Sequence, residues 1–184
     1  MNHNTSLIRS SYRHPGNTKH ITARDKMQPS LLDRLTDNEP DKKKEANSNH
    51  LISHSVLRRS LLRDLQWLLN SINSEATQNL SPFPEIRHSV YNFGLAPLAG
   101  KLMSEIEWED IQHKITKAIQ TFEPRIILDG LEVNCVSDTD SLTLYNRLSI
   151  EIRGFLWCVP WPVEFVFHSD VDLENGYFTI KEAG

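Results

Sequence analysis

The sequence is poor in cysteine, has no long apolar run and begins without an apolar leader. Its two cysteines, Cys135 and Cys158, lie in apolar, strand-like segments, which is typical of buried thiols in a reducing compartment, so we expect no disulfide. No run approaches the ~20 apolar residues that span a bilayer, and the N-terminus lacks the apolar stretch of a secretory signal. These absences predict a cytoplasmic protein with no direct membrane insertion.

Motifs that hold metals or phosphates are also missing. The chain has no Cys-x-x-Cys, no His-Glu-x-x-His, no Walker loop, no Gly-x-Gly-x-x-Gly and no Gly-x-Ser-x-Gly elbow. His113 and His168 stand alone, and exposed polar residues are a better interpretation of them than catalysis. Nothing in the sequence positions a Ser/His/Asp triad. We therefore predict no catalytic residue, no metal site and no cofactor.

Glycoside hydrolysis needs only two carboxyl groups, one of them in an apolar setting that raises its pKa. None of the glutamates near apolar segments looks like such an acid: Glu105 and Glu107 fit a helix start, Glu151 faces the polar side of its strand, and Glu123 lies close to Arg125. A muramidase that cleaves peptidoglycan remains one alternative function. The glutamates considered as its catalytic carboxyl groups are Glu105, Glu107, Glu123, Glu151 and Glu164.

Charge divides the chain into two parts. Residues 1–50 hold nine Lys/Arg and six Asp/Glu (net +3), and residues 51–184 hold eleven and eighteen (net −7), which sum to −4. A domain this acidic is a poor candidate for binding nucleic acid, whose phosphates need a basic surface. We predict a polar, mostly disordered tail over residues 1–50 and one domain over residues 51–184. Within the tail, residues 30–36 predict a short helix with Ser30 as its cap and three leucines.

Two amphipathic helices are indicated by apolar residues at steps of three and four. The first begins near Ser55. The second is predicted to begin at Ser104, where Ser104 and Glu107 match a capping box. Their apolar stripes are Leu57, Leu61, Leu65, Leu68 and Ile72 in the first helix, and Trp108, Ile111, Ile115, Ile119 and Phe122 in the second.

After Pro124 the apolar period becomes two, which indicates strands. The predicted strands are residues 125–136 with a bend at Asp129–Gly130, residues 142–153, residues 161–167 and residues 177–180, with a turn at 137–140 and another at Asn175–Gly176. Helix, helix and then an antiparallel meander of about four strands predict an α+β fold with both main helices on one face of the sheet.

The stretch Phe122–Arg125 joins the helical half to the strand half. Pro124 ends the helix because it lacks an amide hydrogen and disfavours helical geometry at Glu123. Glu123 and Arg125 then flank a stiff bend. Two interpretations stay open: a surface that binds a partner, or a helix stop with a local ion pair.

Four stretches resemble one family. They are residues 31–35 (LLDRL), residues 89–95 (SVYNFGL), residues 122–126 (FEPRI) and residues 148–164. In this order the chain resembles the TssE family of type VI secretion baseplate proteins, itself similar to the small baseplate wedge protein of contractile phage tails. One departure is visible: the family tends to continue with Pro-Asp-Leu after its Asn-Tyr-Gly-Leu, whereas this chain has Ala96-Pro97-Leu98.

The resemblance implies a structural, non-enzymatic protein. It implies that Glu123, Pro124 and Arg125 contact the wedge proteins TssF and TssG, with TssK as a further candidate, and that the sheet pairs with strands of the TssB/TssC sheath. An adaptor domain that binds a peptide is another alternative. For the pairing edge we select Tyr177, Phe178, Thr179 and Ile180, because Pro160 and Pro162 remove backbone donors beside Trp161.

Overall fold

The computed structural model describes residues 30–36, 40–41, 53–98, 107–136, 147–158 and 161–183. Within these ranges, two long helices and two short ones accompany a four-stranded sheet. The helices are α1 (Leu31–Leu35), α2 (His54–Asn70), α3 (Pro84–Arg87) and α4 (Trp108–Phe122), and the strands are β1 (Glu132–Val136), β2 (Arg147–Leu156), β3 (Val163–Asp172) and β4 (Tyr177–Glu182). Short 3-10 turns occupy Ser74–Ala76, Val90–Asn92 and Leu128–Gly130.

Helix α2 forms because a capped start is followed by leucines along one face. The Ser53 hydroxyl accepts a hydrogen bond from the Val56 amide at 3.4 Å, and the leucines at 57, 61, 65 and 68 are buried. The prediction that Ile72 continues this stripe is wrong. The helix ends at Asn70 because Ser71 is extended (φ −90°, ψ 138°). Ile72 therefore leaves the helix, pairs with Leu95 in an isolated bridge and is 67% exposed.

Helix α4 begins later than predicted. Glu107 is its N-cap residue with an extended backbone (φ −81°, ψ 110°), and no side chain bonds to the cap. The capping box from Ser104 to Glu107 is therefore wrong, and Ser104 itself lies outside the described residues. Acidic Glu109 and Asp110 in the first turn suit the positive end of the helix dipole instead. The predicted apolar stripe is confirmed: Ile111, Ile115 and Ile119 are buried, and Trp108 and Phe122 are partly buried against the core.

The sheet is an antiparallel meander in the order β1-β2-β3-β4. Strands β2 and β3 pair over their full lengths, from Arg147 opposite Asp172 to Leu156 opposite Val163. Strand β3 is longer than predicted and begins after Trp161. The turn before β4 contains Gly176 with φ 71°, a left-handed conformation that glycine adopts without steric cost.

Residues 125–136 bend as the sequence predicts. Ile126 forms a bridge to Leu156, the chain then turns through Leu128–Gly130, and pairing with β2 resumes at Glu132 opposite Arg153. The predicted turn at 137–140, the start of the predicted second strand at 142–146 and most of the N-terminal tail lie outside the described residues.

One face of the sheet carries the core. Its buried side chains alternate with outward ones along β2 and β3, and they pack with the leucines of α2 and the isoleucines of α4. Phe165, Phe167, Phe178, Leu61, Leu65, Ile115 and Ile119 are among the largest fully buried side chains. The predicted α+β fold, with both main helices on one face of an antiparallel meander, is confirmed.

Candidate partner-binding site

The bend after α4 is fixed by its backbone. The Glu123 amide still bonds to the Ile119 carbonyl at 2.9 Å, and Glu123 then leaves helical geometry (φ −118°, ψ 81°) as its position before a proline requires. Two residues later, the Arg125 carbonyl accepts the Trp157 amide at 2.8 Å. The bend thus connects the end of α4 directly to the end of β2.

Glu123 and Arg125 form a two-pronged ion pair. Arg125 Nε donates to Glu123 Oε1 at 2.7 Å, and an Arg125 terminal nitrogen donates to Oε2 at 2.5 Å. The Arg125 amide also bonds to Oε1 at 3.2 Å. Glu123 is only 5% exposed, so its desolvation makes this pairing necessary: an unpaired buried carboxylate is costly.

Helix α2 supplies the remaining partners of Arg125. The same guanidinium donates to Asp64 Oδ2 at 2.6 Å and to Ser60 Oγ at 3.1 Å. Burial alone would lower the pKa of Arg125, but the hydrogen bonds and charge of Glu123, and then those of Asp64, raise it above its usual value. Arg125 is therefore a permanent cation that ties the bend to α2.

Helix α1 is attached to the same place through its polar side. Arg63 of α2 forms an ion pair with Asp33 and another with Asp64 at 2.9 Å, while Ser60 donates to Asp33 Oδ2 at 3.0 Å. The hydrogen bond from Arg63 is the main cause that lowers the pKa of Asp33 to about 2. We call Asp33, Ser60, Arg63, Asp64, Glu123 and Arg125 the charge cluster.

The apolar side of α1 faces solvent. Leu31 is 69% exposed, Leu32 44% and Leu35 74%, and the helix has no buried residue. Trp67 of α2 is also half-exposed, with the Arg63 guanidinium 5.2 Å from its ring centroid. We call these four side chains the leucine–tryptophan surface. Exposed apolar groups beside an ordered charged centre are typical of protein interfaces.

The structure brings the predicted bend residues together but turns two of them inward. Pro124 is exposed, Arg125 is half-buried and Glu123 is buried. Reasoning from sequence missed Ser60 and Asp64. A signal for them exists, because Ser60 and Asp64 are four residues apart and so lie on one face of a helix.

The predicted pairing edge, Tyr177–Ile180, is not free in the structure. Asn70 donates to the Phe178 carbonyl at 3.0 Å and accepts the Phe178 amide at 2.9 Å. Gln66 bonds to the same carbonyl and accepts the Ile180 amide at 2.9 Å. The outward backbone groups of Phe178 and the Ile180 amide are therefore already bonded within the chain. Two side-chain amides of α2 take the place of a neighbouring strand, and addition of a partner strand here stays a prediction.

The segment 92–95 packs beside the last turn of α4, next to the bend. Buried Asn92 accepts the Glu75 amide at 3.0 Å and donates to the Arg87 carbonyl at 3.1 Å. Gly94 has φ 118°, and a Cβ there would lie 2.2 Å from the Ser71 carbonyl oxygen. Phe93 meets Phe122 edge-on, with ring centroids 5.4 Å apart. The two stretches singled out in the sequence are thus in contact beside the last turn of α4.

The candidate hydrolase carboxylates do not assemble into a common site in the described structure. Glu123 is bonded to Arg125, and Glu151 pairs with Arg153 at 2.9 Å. Glu164 shares the outer face of the sheet with Glu151 but is four residues away in the register, since His168 lies opposite Glu151. That offset is roughly 13 Å at the backbone. Glu107 caps α4, and Glu105 lies outside the described residues.

The cysteine and histidine side chains in the described ranges do not come together in a catalytic or metal-binding group. Cys135 and Cys158 are free thiols, and burial raises the pKa of Cys135 to about 11. His113 and His168 are exposed on separate elements. No group of three or more His, Cys, Asp or Glu side chains in the described part of the chain is placed to hold a metal ion.

The fold and this site define a small α+β domain whose ordered surface features are suited to protein contacts. A family model described as baseplate wedge protein gp25 matches residues 55–160, more than half of the chain. The chain belongs to this family, which includes TssE, and is a structural component of a phage-tail-like baseplate. Comparison with curated proteins found no match, and comparison with solved structures found none. None of the helices in the described ranges has the length and apolar character needed to cross a bilayer.

Proposed function

We propose that this chain is the TssE-type subunit of a type VI secretion baseplate, acting in the cytoplasm without enzymatic activity. In this role it links the TssF/TssG wedge, with TssK as a further candidate partner, to the sheath and initiates TssB/TssC polymerisation. Family membership and the four stretches that resemble TssE support the assignment. The observation that carries it is the attachment of α1, with its leucines outward, to the charge cluster at the bend.

The charge cluster favours binding because it fixes a surface before a partner arrives. Glu123, Arg125, Asp64 and Arg63 bond to one another along the boundary between α1, α2 and the bend. A surface that is already ordered loses less conformational entropy on association. The cluster therefore acts mainly as a support, and exposed Pro124 and the outer edge of Arg125 are the parts of the bend that a partner reaches.

Binding energy would come chiefly from the leucine–tryptophan surface. Fully burying an exposed leucine side chain contributes about 1.5–3 kcal/mol, and a few apolar or aromatic anchors dominate most interfaces. Leu31 and Leu35 are the most exposed members of the surface. A helical segment of a wedge protein with an apolar stripe would fit against them.

Sheath pairing at β4 would proceed by exchange. An incoming strand must replace the bonds that Gln66 and Asn70 make to Phe178 and Ile180. Side-chain amides can release and be replaced one bond at a time, so the edge is protected before assembly and remains usable afterwards. The opposite edge, β1, is the alternative site for the sheath.

Co-purification with TssF/TssG and with TssB/TssC tests the proposal. Leu31→Ser combined with Leu35→Ser should reduce recovery of the wedge proteins at least tenfold, equivalent to about 1.4 kcal/mol or more. Val90→Ser is the matched control, because Val90 is an exposed aliphatic residue (85%) outside the leucine–tryptophan surface. Equal recovery of the wedge proteins by the wild type, the double leucine variant and Val90→Ser would overturn the assignment of this surface. Failure of the wild type to recover any of the wedge or sheath proteins would overturn the proposed function.

A further inference from the structure

A groove separate from the charge cluster lies between α4 and the connection that precedes it. Its volume is about 360 Å³, within the range of about 300–1,000 Å³ typical of ligand sites. One wall is the outward stripe of α4, from Asp110 through His113, Lys114 and Lys117 to Thr121. The other wall comes from the preceding connection, by way of Asn73, Glu75, Ala76, Arg87, His88, Asn92, Gly94, Leu95 and Ala96.

The charge of the groove is opposite to that of the domain. Arg87, Lys114 and Lys117 face Glu75 and Asp110, a formal balance of +1 with the histidines neutral. Residues 51–184 as a whole carry −7. His88 and His113 also line the groove. A positive concavity in an acidic domain is a local feature that attracts carboxylates.

The internal ion pairs of the groove are easily exchanged. Arg87 pairs with Glu75 at 2.8 Å and Lys114 with Asp110 at 2.5 Å, and all four side chains are at least 36% exposed. Exposed pairs of this kind contribute about 0–1 kcal/mol. Lys117 makes no ion pair with any residue in the described ranges. A ligand carboxylate can therefore replace Glu75 or Asp110 and also reach Lys117.

The floor of the groove is apolar and firmly held. Leu95 and Ala118 are buried, and Phe122 is fixed by its contact with Phe93. Asn92 also lines the groove, and both ends of its side-chain amide are bonded to the backbone. Apolar lining residues combined with a net positive charge suit a peptide that alternates acidic and apolar residues.

We propose that this groove binds an acidic peptide segment of a protein partner, with at least two carboxylates meeting Lys117, Lys114 and Arg87 around a small apolar side chain. Nucleic acid fits less well, because a phosphate backbone needs a more extended basic surface than three cationic side chains provide. The site is distinct from the charge cluster and does not rest on the proposed wedge and sheath contacts.

Fluorescence anisotropy of the full chain tests this inference. The probe is a labelled peptide of alternating glutamate and leucine, and its control replaces each glutamate by glutamine. We expect the acidic peptide to bind and the neutral one to bind at least tenfold more weakly, with affinity falling as salt rises. Lys117→Glu should weaken binding about fivefold or more, whereas Lys181→Glu, an exposed lysine of β4 away from the groove, should leave it unchanged.

A gain of affinity separates recognition from a structural effect. Glu75→Gln releases Arg87 and should strengthen binding about twofold to fivefold. Absence of binding, equal binding of the neutral peptide, or equal weakening by Lys117→Glu and Lys181→Glu would each overturn the proposal. Displacement of the peptide by inorganic phosphate at similar affinity would assign the groove to a small anion instead.

Discussion

Arg125 has a structural role inside the molecule in addition to its position at the bend. It neutralises buried Glu123 and also bonds Asp64 and Ser60. The two interpretations of the bend therefore overlap: the local ion pair is present, and it forms the support for a surface around it. A loss of binding in an Arg125 variant cannot be read as a lost contact unless stability is measured too.

Arg125→Ala should lower the free energy of unfolding by about 3 kcal/mol, because it leaves a buried carboxylate without its cation. Arg125→Lys keeps the charge but loses the two-pronged geometry, so its free energy of unfolding should lie between those of the wild type and Arg125→Ala. Urea denaturation followed by tryptophan fluorescence measures both. A change below about 0.5 kcal/mol for Arg125→Ala, the usual range of surface substitutions, would show that the pair is dispensable for folding.

Gly94→Ala should destabilise the domain by about 2 kcal/mol or more, since a positive φ and a contact 2.2 Å from the Ser71 carbonyl oxygen both oppose a Cβ there. Ala96→Gly, two residues along, is the companion variant and should cost much less. Thermal melting compares them. Equal melting temperatures for Gly94→Ala and the wild type would mean that the backbone relaxes around residue 94.

At the scale of elements, α1 is held by charge and not by burial of its leucines. Asp33→Asn weakens its bonds to Arg63 and Ser60, so α1 should detach more often. Trypsin cleavage after Arg34, followed by mass spectrometry, should then accelerate several-fold, because cleavage follows local opening. Cleavage after Arg24 provides the internal reference. An unchanged ratio of the two rates would show that Asp33 does not hold the helix.

The same contact depends on pH in a defined direction. The pKa of Asp33 is lowered from 3.8 to about 2, so its contribution to docking is complete above about pH 4 and is lost as the pH falls through about 2. Methyl NMR signals of Leu31 and Leu35 should shift over that window. Their titration at a higher pH would assign the transition to another group.

Strand β4 illustrates how an edge can be protected by a helix. Gln66→Ala and Asn70→Ala together should cost about 1 kcal/mol for each lost hydrogen bond and should expose the outward backbone groups of Phe178 and Ile180. If sheath strands add at β4, the double variant should start sheath polymers faster than the wild type, as scored by electron microscopy. An unchanged or slower rate would contradict strand addition at β4 and favour β1 as the pairing edge. Proline substitutions are less informative here, because both outward donors belong to buried core residues.

Periodicity in the sequence was sufficient for the main elements of the whole molecule. The stripes of α2 and α4 and the alternation of β2 report burial directly, so the fold follows from them. Helix ends could not be predicted in this way. The positions of Ile72 and Glu107 depend on backbone geometry, which the spacing of apolar side chains does not indicate. The charge cluster needed tertiary structure, since Asp33, Arg63 and Arg125 are distant in sequence, and the amides on β4 come from a helix over 100 residues earlier.

A structural role also predicts an absence of turnover. The purified protein should release no peptidoglycan fragments between about pH 4 and pH 8, where carboxyl acids of glycosidases act. Turbidity of a cell-wall suspension measures this, with a known lysozyme as the positive control. Turnover that disappears in Glu123→Gln or Glu164→Gln would identify a catalytic acid and contradict the non-enzymatic assignment.

Initiation of the sheath is the most direct test of the proposed link between wedge and sheath. Preassembled TssF/TssG wedges are mixed with TssB/TssC, with and without this chain, and polymers attached to wedges are counted by electron microscopy. The proposed function predicts attached polymers with the wild-type chain, far fewer with Leu31→Ser/Leu35→Ser, and wild-type numbers with Val90→Ser. Equal numbers of attached polymers in the presence and absence of the chain would contradict it.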